Sequence, residues 1–401
     1  MTGPAGEPTN QPVPPAEEAE AVEAADGARA ASALRRAWAL VVVPLGAVIL
    51  AMLVGSIVIL ASQVFIGVEI DPTLPLVAYW AMISGGLGSF NGIVETMVQA
   101  TPLVLAGLAV GVGFKAGLFN IGAQGQFLMG ALAAAYVGGQ LRDQPALVAV
   151  SLAVAAGAFG GLVYGFIPGA LKALTGAHEV VTTIMLNFVA ISISSYFVSG
   201  PLRAPRSPFA QTLDVGNAEL IVLFGRNGHV GIFFALLAVP IIWWLLWRAK
   251  LGFEIRTVGA NPDAARFAGM RPRRLIALTM ALCGMLAGLA GSGEILGRVG
   301  HLTAPYATNV GFDAITVALL GRANPVGILF SALLLGMMKA GAGQMQIQAG
   351  IPVEIVDVIQ GLILLFLAAE IIVRRLFRIR EARVGLEELA TVTRSYGERS
   401  A

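Results

Sequence analysis

The sequence predicts an all-α fold: a polytopic bundle of about ten transmembrane helices, some short or broken, with one further helix on a cytoplasmic loop. Of its 401 residues, 57% are hydrophobic and 12% are charged, whereas soluble globular chains carry about a quarter charged residues. Apolar runs at residues 41–60, 146–171 and 355–372 are long enough to cross a bilayer core, which takes roughly 20 residues. The 49 glycines are typical of membrane helices that pack closely. These features exclude an ordinary soluble protein.

The start of the chain predicts a cytoplasmic tail. Residues 1–34 are rich in Ala, Pro and Glu, with six acids and one arginine among the first 30, so we expect them to be disordered. A signal peptide begins with basic residues and then turns apolar, unlike this stretch. Arg35 and Arg36 precede the first apolar run, which favours a cytoplasmic N-terminus.

Five spans are predicted in the first half of the chain. They lie at residues 38–65, 93–114, 120–137, 146–173 and 179–199. Residues 79–92 are mildly apolar and rich in glycine, and we expect them to form a short helix or loop at the outer interface. The polar residues 200–229 then form an extracytoplasmic loop.

Five more spans are predicted in the second half. They lie at residues 230–247, 275–295, 310–320, 326–342 and 355–372. The basic loop at residues 249–274 and the arginines after the tenth span are assigned to the cytoplasm, because positive charge accumulates there. The transmembrane domain therefore covers residues 35–377, and residues 378–401 form a second cytoplasmic tail. Ten spans put both termini inside, in a multi-pass protein of the plasma membrane.

The densest polar group within the apolar segments lies at residues 115–126. It holds three carboxamides, Asn120, Gln124 and Gln126, together with three glycines. Glycine lets the backbone leave helical geometry, and irregular backbone at membrane depth occurs only where it is buried or lines a cavity. We therefore predict a break between the second and third spans that lines or gates a pathway. An interfacial turn with polar caps is the alternative.

Other polar residues inside the spans are further candidates for pathway contact, because such residues are costly in a membrane. Those assigned to the pathway are Glu95, Asn187 and Asp313, and the other polar candidates inside the spans are Glu294, Asn324 and Gln360. Hydrogen bonding between helices explains each of them equally well. Glu294 and Arg298 are four residues apart and are expected to pair on one helix.

The basic loop predicts a short capped helix. Asn261 suits the N-cap, Pro262 the first helical position and Asp263 the positive N-terminal end. Arg266 and Phe267 are then the expected exposed and anchoring residues of a docking surface. A surface helix that only joins two spans is the alternative.

Glycines also recur at every fourth position. Gly157, Gly161 and Gly165 share one helix face, as do Gly284 and Gly288. This spacing lets helix backbones approach closely, within one subunit or, as the alternative, between subunits.

Several site types are not indicated by the sequence. No Gly-Lys pair occurs, so the common phosphate loop is missing, and the three histidines lack metal-ligand spacing. No nucleophile–base arrangement stands out. We expect no enzyme activity, no cofactor and no metal.

Four motifs resemble the permease subunits of bacterial ABC importers of the ribose and branched-chain amino acid type, and most resemble the nucleoside branch that works with basic membrane lipoproteins. These motifs are GLFNIGAQGQ at residues 117–126, GAHEVVTTIMLN at 176–187, the loop at 258–270 and LLGRANPVG at 319–327. The chain departs from the family pattern at Gln124 and His178, where Glu and Asn are frequent. Gln124 keeps hydrogen bonding but loses a charge.

The resemblance implies an importer for nucleosides or related sugar-like solutes, and it implies partners. These are a second permease subunit, two cytoplasmic ATPase subunits and an extracytoplasmic substrate-binding lipoprotein, in membrane lipid and without nucleic acid. The loop helix becomes the coupling helix that sits on an ATPase, with Arg256, Asn261, Pro262, Asp263, Arg266 and Phe267 as the coupling residues.

Two other classes of protein remain possible from the residues alone. An ion-coupled secondary transporter needs intramembrane acids, for which Glu294 and Asp313 are available. A membrane scaffold or enzyme without transport is the second. The exact solute stays open between nucleoside, base and sugar.

Overall fold

Helices make up nearly all of the regular structure in the computed structural model, which describes residues 42–64, 69–205, 207–306 and 308–369. The predicted all-α bundle is confirmed for these residues. The tails predicted at residues 1–34 and 378–401 lie outside the described part of the chain, as do the first residues of the first predicted span.

Six helices form the first half of the bundle. Their bounds are α1 Val42–Val64, α2 Leu74–Leu87, α3 Phe90–Lys115, α4 Ala123–Gln140, α5 Ala146–Thr175 and α6 Glu179–Ser199. Local signals set several ends. The Ser89 side chain accepts a hydrogen bond from the Gly92 amide and caps α3. Gly176 ends α5 with a φ of 74°, a conformation that favours glycine.

Seven helices form the second half. They are α7 Gly231–Arg248, α8 Lys250–Ala260, α9 Pro262–Phe267, α10 Pro272–Glu294, α11 Val310–Leu320, α12 Pro325–Ala349 and α13 Ile355–Ala368. A π-helical turn, Ile295–Val299, extends α10. Asn324 caps α12 by accepting from the Val326 amide, and Pro325 occupies the first turn.

Seven of the ten predicted spans are helices long and apolar enough to cross a membrane, judged by length and composition. They are α1, α3, α5, α6, α7, α12 and α10 with its π-helical turn. The other three predicted spans correspond to α4, which is less apolar, and to the shorter helices α11 and α13. The count of ten and the cytoplasmic location of the termini stay predictions.

The glycine repeats of α5 and α10 face each other in close contact. A Cβ atom on Gly161 would lie 2.2 Å from the Gly284 carbonyl oxygen, and one on Gly165 would lie 2.7 Å from the Gly284 Cα. Only glycine permits this approach. The prediction that the repeats pack helices within one subunit is confirmed.

The segment predicted as an interfacial helix or loop is the helix α2, which begins before residue 79 and packs along α12. A Cβ on Gly341 of α12 would lie 1.8 Å from the Met82 carbonyl oxygen, so the two backbones touch. Leu76 and Trp80 are exposed on the opposite face. Small residues on one face of α2 let its backbone come close to α12, which explains why this segment packs as a helix.

The polar loop between α6 and α7 contains little regular structure. A 3₁₀ turn spans Gly216–Ala218, and the short strands β1 (Val222–Phe224) and β2 (Gly228–His229) pair antiparallel. An isolated bridge between Gln211 and Thr303 ties this loop to the segment that follows α10.

Candidate functional site

The predicted break between the second and third spans is present. α3 ends at Lys115 and α4 begins at Ala123, and the residues between them are not helical. Gly117 has a φ of 68°, which favours glycine and turns the chain. All three carboxamides of the segment are buried: Asn120 is 0% exposed, Gln124 2% and Gln126 1%. A buried amide is costly unless it is hydrogen-bonded, so the hydrogen-bond partners of each side chain indicate its role.

Asn120 and Gln126 satisfy each other. The Asn120 Nδ2 donates to Gln126 Oε1 at 3.0 Å, and the Gln126 Nε2 donates to Asn120 Oδ1 at 3.3 Å. Asn120 Oδ1 also accepts from the Gly122 amide at 3.0 Å. These two side chains therefore close the break with a local ring of hydrogen bonds.

Gln124, in the first turn of α4, joins this segment to α11. Its Nε2 donates to the Thr308 carbonyl at 2.7 Å, and its Oε1 accepts from the Gly311 amide at 2.8 Å. The backbones approach so closely that a Cβ on Gly311 would lie 2.2 Å from the Gln124 Cα. A neutral carboxamide can both donate and accept here, whereas an ionised Glu cannot donate to the carbonyl.

Asn187 joins the break to α6. Its Oδ1 accepts from the Gly125 amide at 2.8 Å, and its Nδ2 donates to the Ile121 carbonyl at 3.0 Å. The structure thus brings four predicted residues together, and we refer to Asn120, Gln124, Gln126 and Asn187 as the carboxamide cluster. Two of its members tie the first turn of α4 to helices that are distant in sequence.

The two remaining pathway candidates have other partners. Glu95 is half-buried and accepts hydrogen bonds from Gln99 Nε2 at 2.9 Å and Asn227 Nδ2 at 3.4 Å. Asp313 is buried on α11, and its Oδ2 lies 2.6 Å from Lys339 Nζ on α12. Lys339 could not be predicted from spacing, because its partner is 26 residues away and outside helical spacing.

The predicted pairing of Glu294 and Arg298 is confirmed. Arg298 Nε donates to Glu294 Oε1 at 2.9 Å across the π-helical turn, and the Tyr306 hydroxyl donates to the same oxygen at 3.3 Å. Both acids on which an ion-coupled mechanism would depend, Glu294 and Asp313, therefore form ion pairs. Among the described residues, no group of three His, Cys, Asp or Glu side chains could hold a metal ion.

His229 lies beside this ion pair, at the end of the hairpin in the α6–α7 loop. It is 2% exposed, and a Cβ on Gly297 of the π-helical turn would lie 2.6 Å from its ring. Burial is the largest influence on its titration and lowers the pKa of His229 below its usual value of 6.5. Burial therefore favours the neutral form of the ring.

The basic loop contains the predicted capped helix. Asn261 Oδ1 accepts from the amides of Asp263 and Ala264, each at 3.0 Å, and Pro262 is the first residue of α9. Arg266 and Asp263 are exposed, and Phe267 is 93% exposed. The Phe267 side chain is therefore free to contact a partner, as the predicted docking surface requires.

A second helix in the same loop, α8, was not predicted. Arg256 on α8 lies over the Trp247 ring, 5.9 Å from its centroid, and attaches the loop to the end of α7. Ile255 and Val258 are buried in one apolar cluster with Leu118 of the break. Apolar residues at helical spacing between charged ones were the available signal for α8.

One more ion pair joins α5 to α6. Glu179 begins α6, and its Oε2 lies 2.5 Å from Lys172 Nζ near the end of α5. Both side chains are buried, whereas the neighbouring His178 is exposed. This ion pair fixes the tight turn between α5 and α6.

Comparison with known proteins places the chain among permeases. The family model described as branched-chain amino acid transport system / permease component matches residues 92–368. The guanosine ABC transporter permease protein NupP of Bacillus subtilis is 40% identical, over 83% of this chain and 94% of the relative. A glucose ABC transporter permease protein of Haloferax volcanii is 35% identical, over 82% of this chain and 88% of the relative. The nucleoside ABC transporter permease protein NupB of Lactococcus lactis is 35% identical, over 83% and 92%.

Each of these three organisms has a second matching permease. One is the guanosine permease NupQ of Bacillus subtilis, 24% identical over 61% of this chain, and another is the nucleoside permease NupC of Lactococcus lactis, 20% identical over 62%. The third is a putative glucose permease of Haloferax volcanii, 30% identical over 62%. No solved structure matches the chain.

Proposed function

Since this chain belongs to the branched-chain amino acid transport system / permease component family, we propose that it is the permease subunit of an ATP-binding cassette importer for nucleosides or related sugar-like solutes. The observation that carries the solute class is the 40% identity to a guanosine permease along almost all of that relative. The glucose permease among the relatives keeps sugars in the class.

The proposed partners follow from this class. A second permease subunit, a different paralogue, completes the pathway, as the paired permeases of these organisms support. Two cytoplasmic ATPase subunits hydrolyse ATP, so this chain is not itself an enzyme. An extracytoplasmic lipoprotein delivers the solute. The proposed domain limits are residues 35–377 for the permease, with cytoplasmic tails on both sides.

We assign the carboxamide cluster to a gate in the pathway wall. Its side chains bond to protein groups, and a movement of α4 relative to α6 or α11 must break or exchange these bonds. Glu95 and Asp313 are assigned to the pathway outside the gate. In the loop at residues 249–274, α9 is the coupling helix, and Arg266 and Phe267 are its contact residues.

The test is solute uptake by proteoliposomes that hold all subunits and enclose ATP, with a panel of labelled nucleosides and sugars. We expect uptake that needs ATP hydrolysis, and we expect Asn120→Ala and Gln126→Leu to reduce it. Uptake driven by an ion gradient without ATP would instead support a secondary transporter. Unchanged uptake in both variants would remove these residues from the gate.

A further inference from the structure

We propose that Gly117 and Gly259 are positioning residues for transport, because the contact between their backbones is where the coupling loop acts on the gate. The inference rests on the proposed function and names the point at which motion in the loop reaches the carboxamide cluster. Neither residue touches the solute in this proposal.

The contact is made by backbone atoms alone. A Cβ on Gly259 would lie 2.3 Å from the Lys115 carbonyl oxygen and 2.8 Å from the Gly117 amide nitrogen. A Cβ on Gly117 would lie 3.0 Å from the Gly259 carbonyl oxygen. No side chain separates the last turn of α8 from the turn that ends α3, so neither can shift without moving the other.

The loop side of the contact is a single packed unit. Gly259 lies two residues before Asn261, the cap of α9, on the last turn of α8. The apolar cluster at the contact contains Val258, Ala265 and Ala116, from α8, α9 and the break, and it extends to residues of α5 and α10. Because packed interiors are hardly compressible, a force on α9 displaces Gly259 with the rest of the unit.

The gate side passes the displacement on to two helices. Two residues separate Gly117 from Asn120, which closes the ring with Gln126. The following turn carries Gln124, which bonds to the start of α11, and Gly125, whose amide bonds to Asn187 of α6. A movement of the break therefore changes hydrogen bonds to α6 and α11, both at the same turn of α4.

The first test adds a methyl group to the contact. Gly259→Ala changes a helical position without positive φ, so only the added atom matters, and Gly343→Ala is the matched control because a Cβ there has nothing within 4 Å. The variants are measured in the complete transporter for co-purification of the ATPase, ATP hydrolysis and uptake of labelled guanosine. We expect Gly259→Ala to keep ATPase binding and hydrolysis, and to lower the solute taken up per ATP by about ten-fold.

A second variant tests the same contact in case Gly259→Ala does not fold. Gly117→Asn keeps the positive φ, which Asn tolerates, and adds a side chain toward Gly259. Its control is Gly350→Asn, where φ is 66° and a Cβ has nothing within 4 Å. A merely structural role would lower subunit assembly and uptake together, whereas lost coupling lowers uptake per ATP in an assembled complex.

The outcomes separate the inference from the proposed function. If the wild-type transporter shows no ATP-dependent uptake of any nucleoside or sugar in the panel, the proposed function and this inference both fail. If the wild type transports and both Gly259→Ala and Gly117→Asn keep the wild-type uptake per ATP, the inference alone is overturned. Loss of uptake per ATP in either assembled variant, with normal controls, supports it.

Discussion

Phe267 offers the sharpest test of the docking surface. Its side chain is 93% exposed at the end of α9, so removing it takes almost nothing from the folded subunit. If an ATPase covers it, nearly the whole side chain leaves water on docking, and burying a phenylalanine contributes about 1.5–3 kcal/mol. For Phe267→Ala we therefore expect a loss of about 2 kcal/mol, which weakens the dissociation constant about 30-fold.

The assay is a titration of the detergent-solubilised permease with the purified ATPase subunit. Phe209→Ala is the matched control, because Phe209 is 70% exposed on the α6–α7 loop, which is predicted to face the other side of the membrane. Both variants should unfold at the wild-type temperature, since exposed side chains contribute little to stability. Equal ATPase affinity of wild type and Phe267→Ala would refute the assignment of this surface.

Three further predictions concern stability in detergent. Asn187→Leu leaves two buried backbone groups of the break unpaired and should lower the free energy of unfolding by about 2 kcal/mol or more in a denaturation series; an unchanged value would contradict the network. Lys339→Met leaves the buried Asp313 carboxylate without its cation and should lower the free energy of unfolding by about 3–5 kcal/mol. Adding Asp313→Asn should restore most of this loss, and a double variant with no recovery would argue against the ion pair. Burial lowers the pKa of His229, so below pH 6.5 the unfolded chain binds a proton that the folded protein does not. The unfolding temperature should therefore fall between pH 7.5 and 5.5, and His229→Phe should reduce that fall.

Helix ends marked by local signals were predictable from the sequence. α6 spans Glu179–Ser199 and α11 spans Val310–Leu320, the predicted bounds, because glycines or polar residues flank an apolar run at each end. The cap of α9 followed from Asn261 and Pro262 for the same reason. These signals act within a few residues and need no knowledge of the rest of the fold.

The contacts of the candidate site were harder to predict from the sequence. The carboxamides of the break were identified, but their partners were not, because Gln124 bonds to a residue 187 positions away and Asn187 to one 62 positions away. Sequence spacing carries no information about such pairs. α8 was not predicted because its charged residues obscure its three buried positions, Gly252, Ile255 and Val258. The contact of Gly117 with Gly259 has no side chains and so leaves no pattern in the residue types.

The contact between the glycine repeats of α5 and α10 affects the order in which the protein assembles during synthesis. α5 ends at Thr175 and α10 starts at Pro272, and at about 5–20 residues per second the ribosome needs roughly 5–20 s to supply the second helix. During that time α5 resides in the bilayer with its glycine face against lipid, which carries no hydrophobic penalty. We expect a nascent chain released before Pro272 to insert and yet stay sensitive to protease. Packing of α5 against α10 is thus a late step of biogenesis, timed by the synthesis of α10.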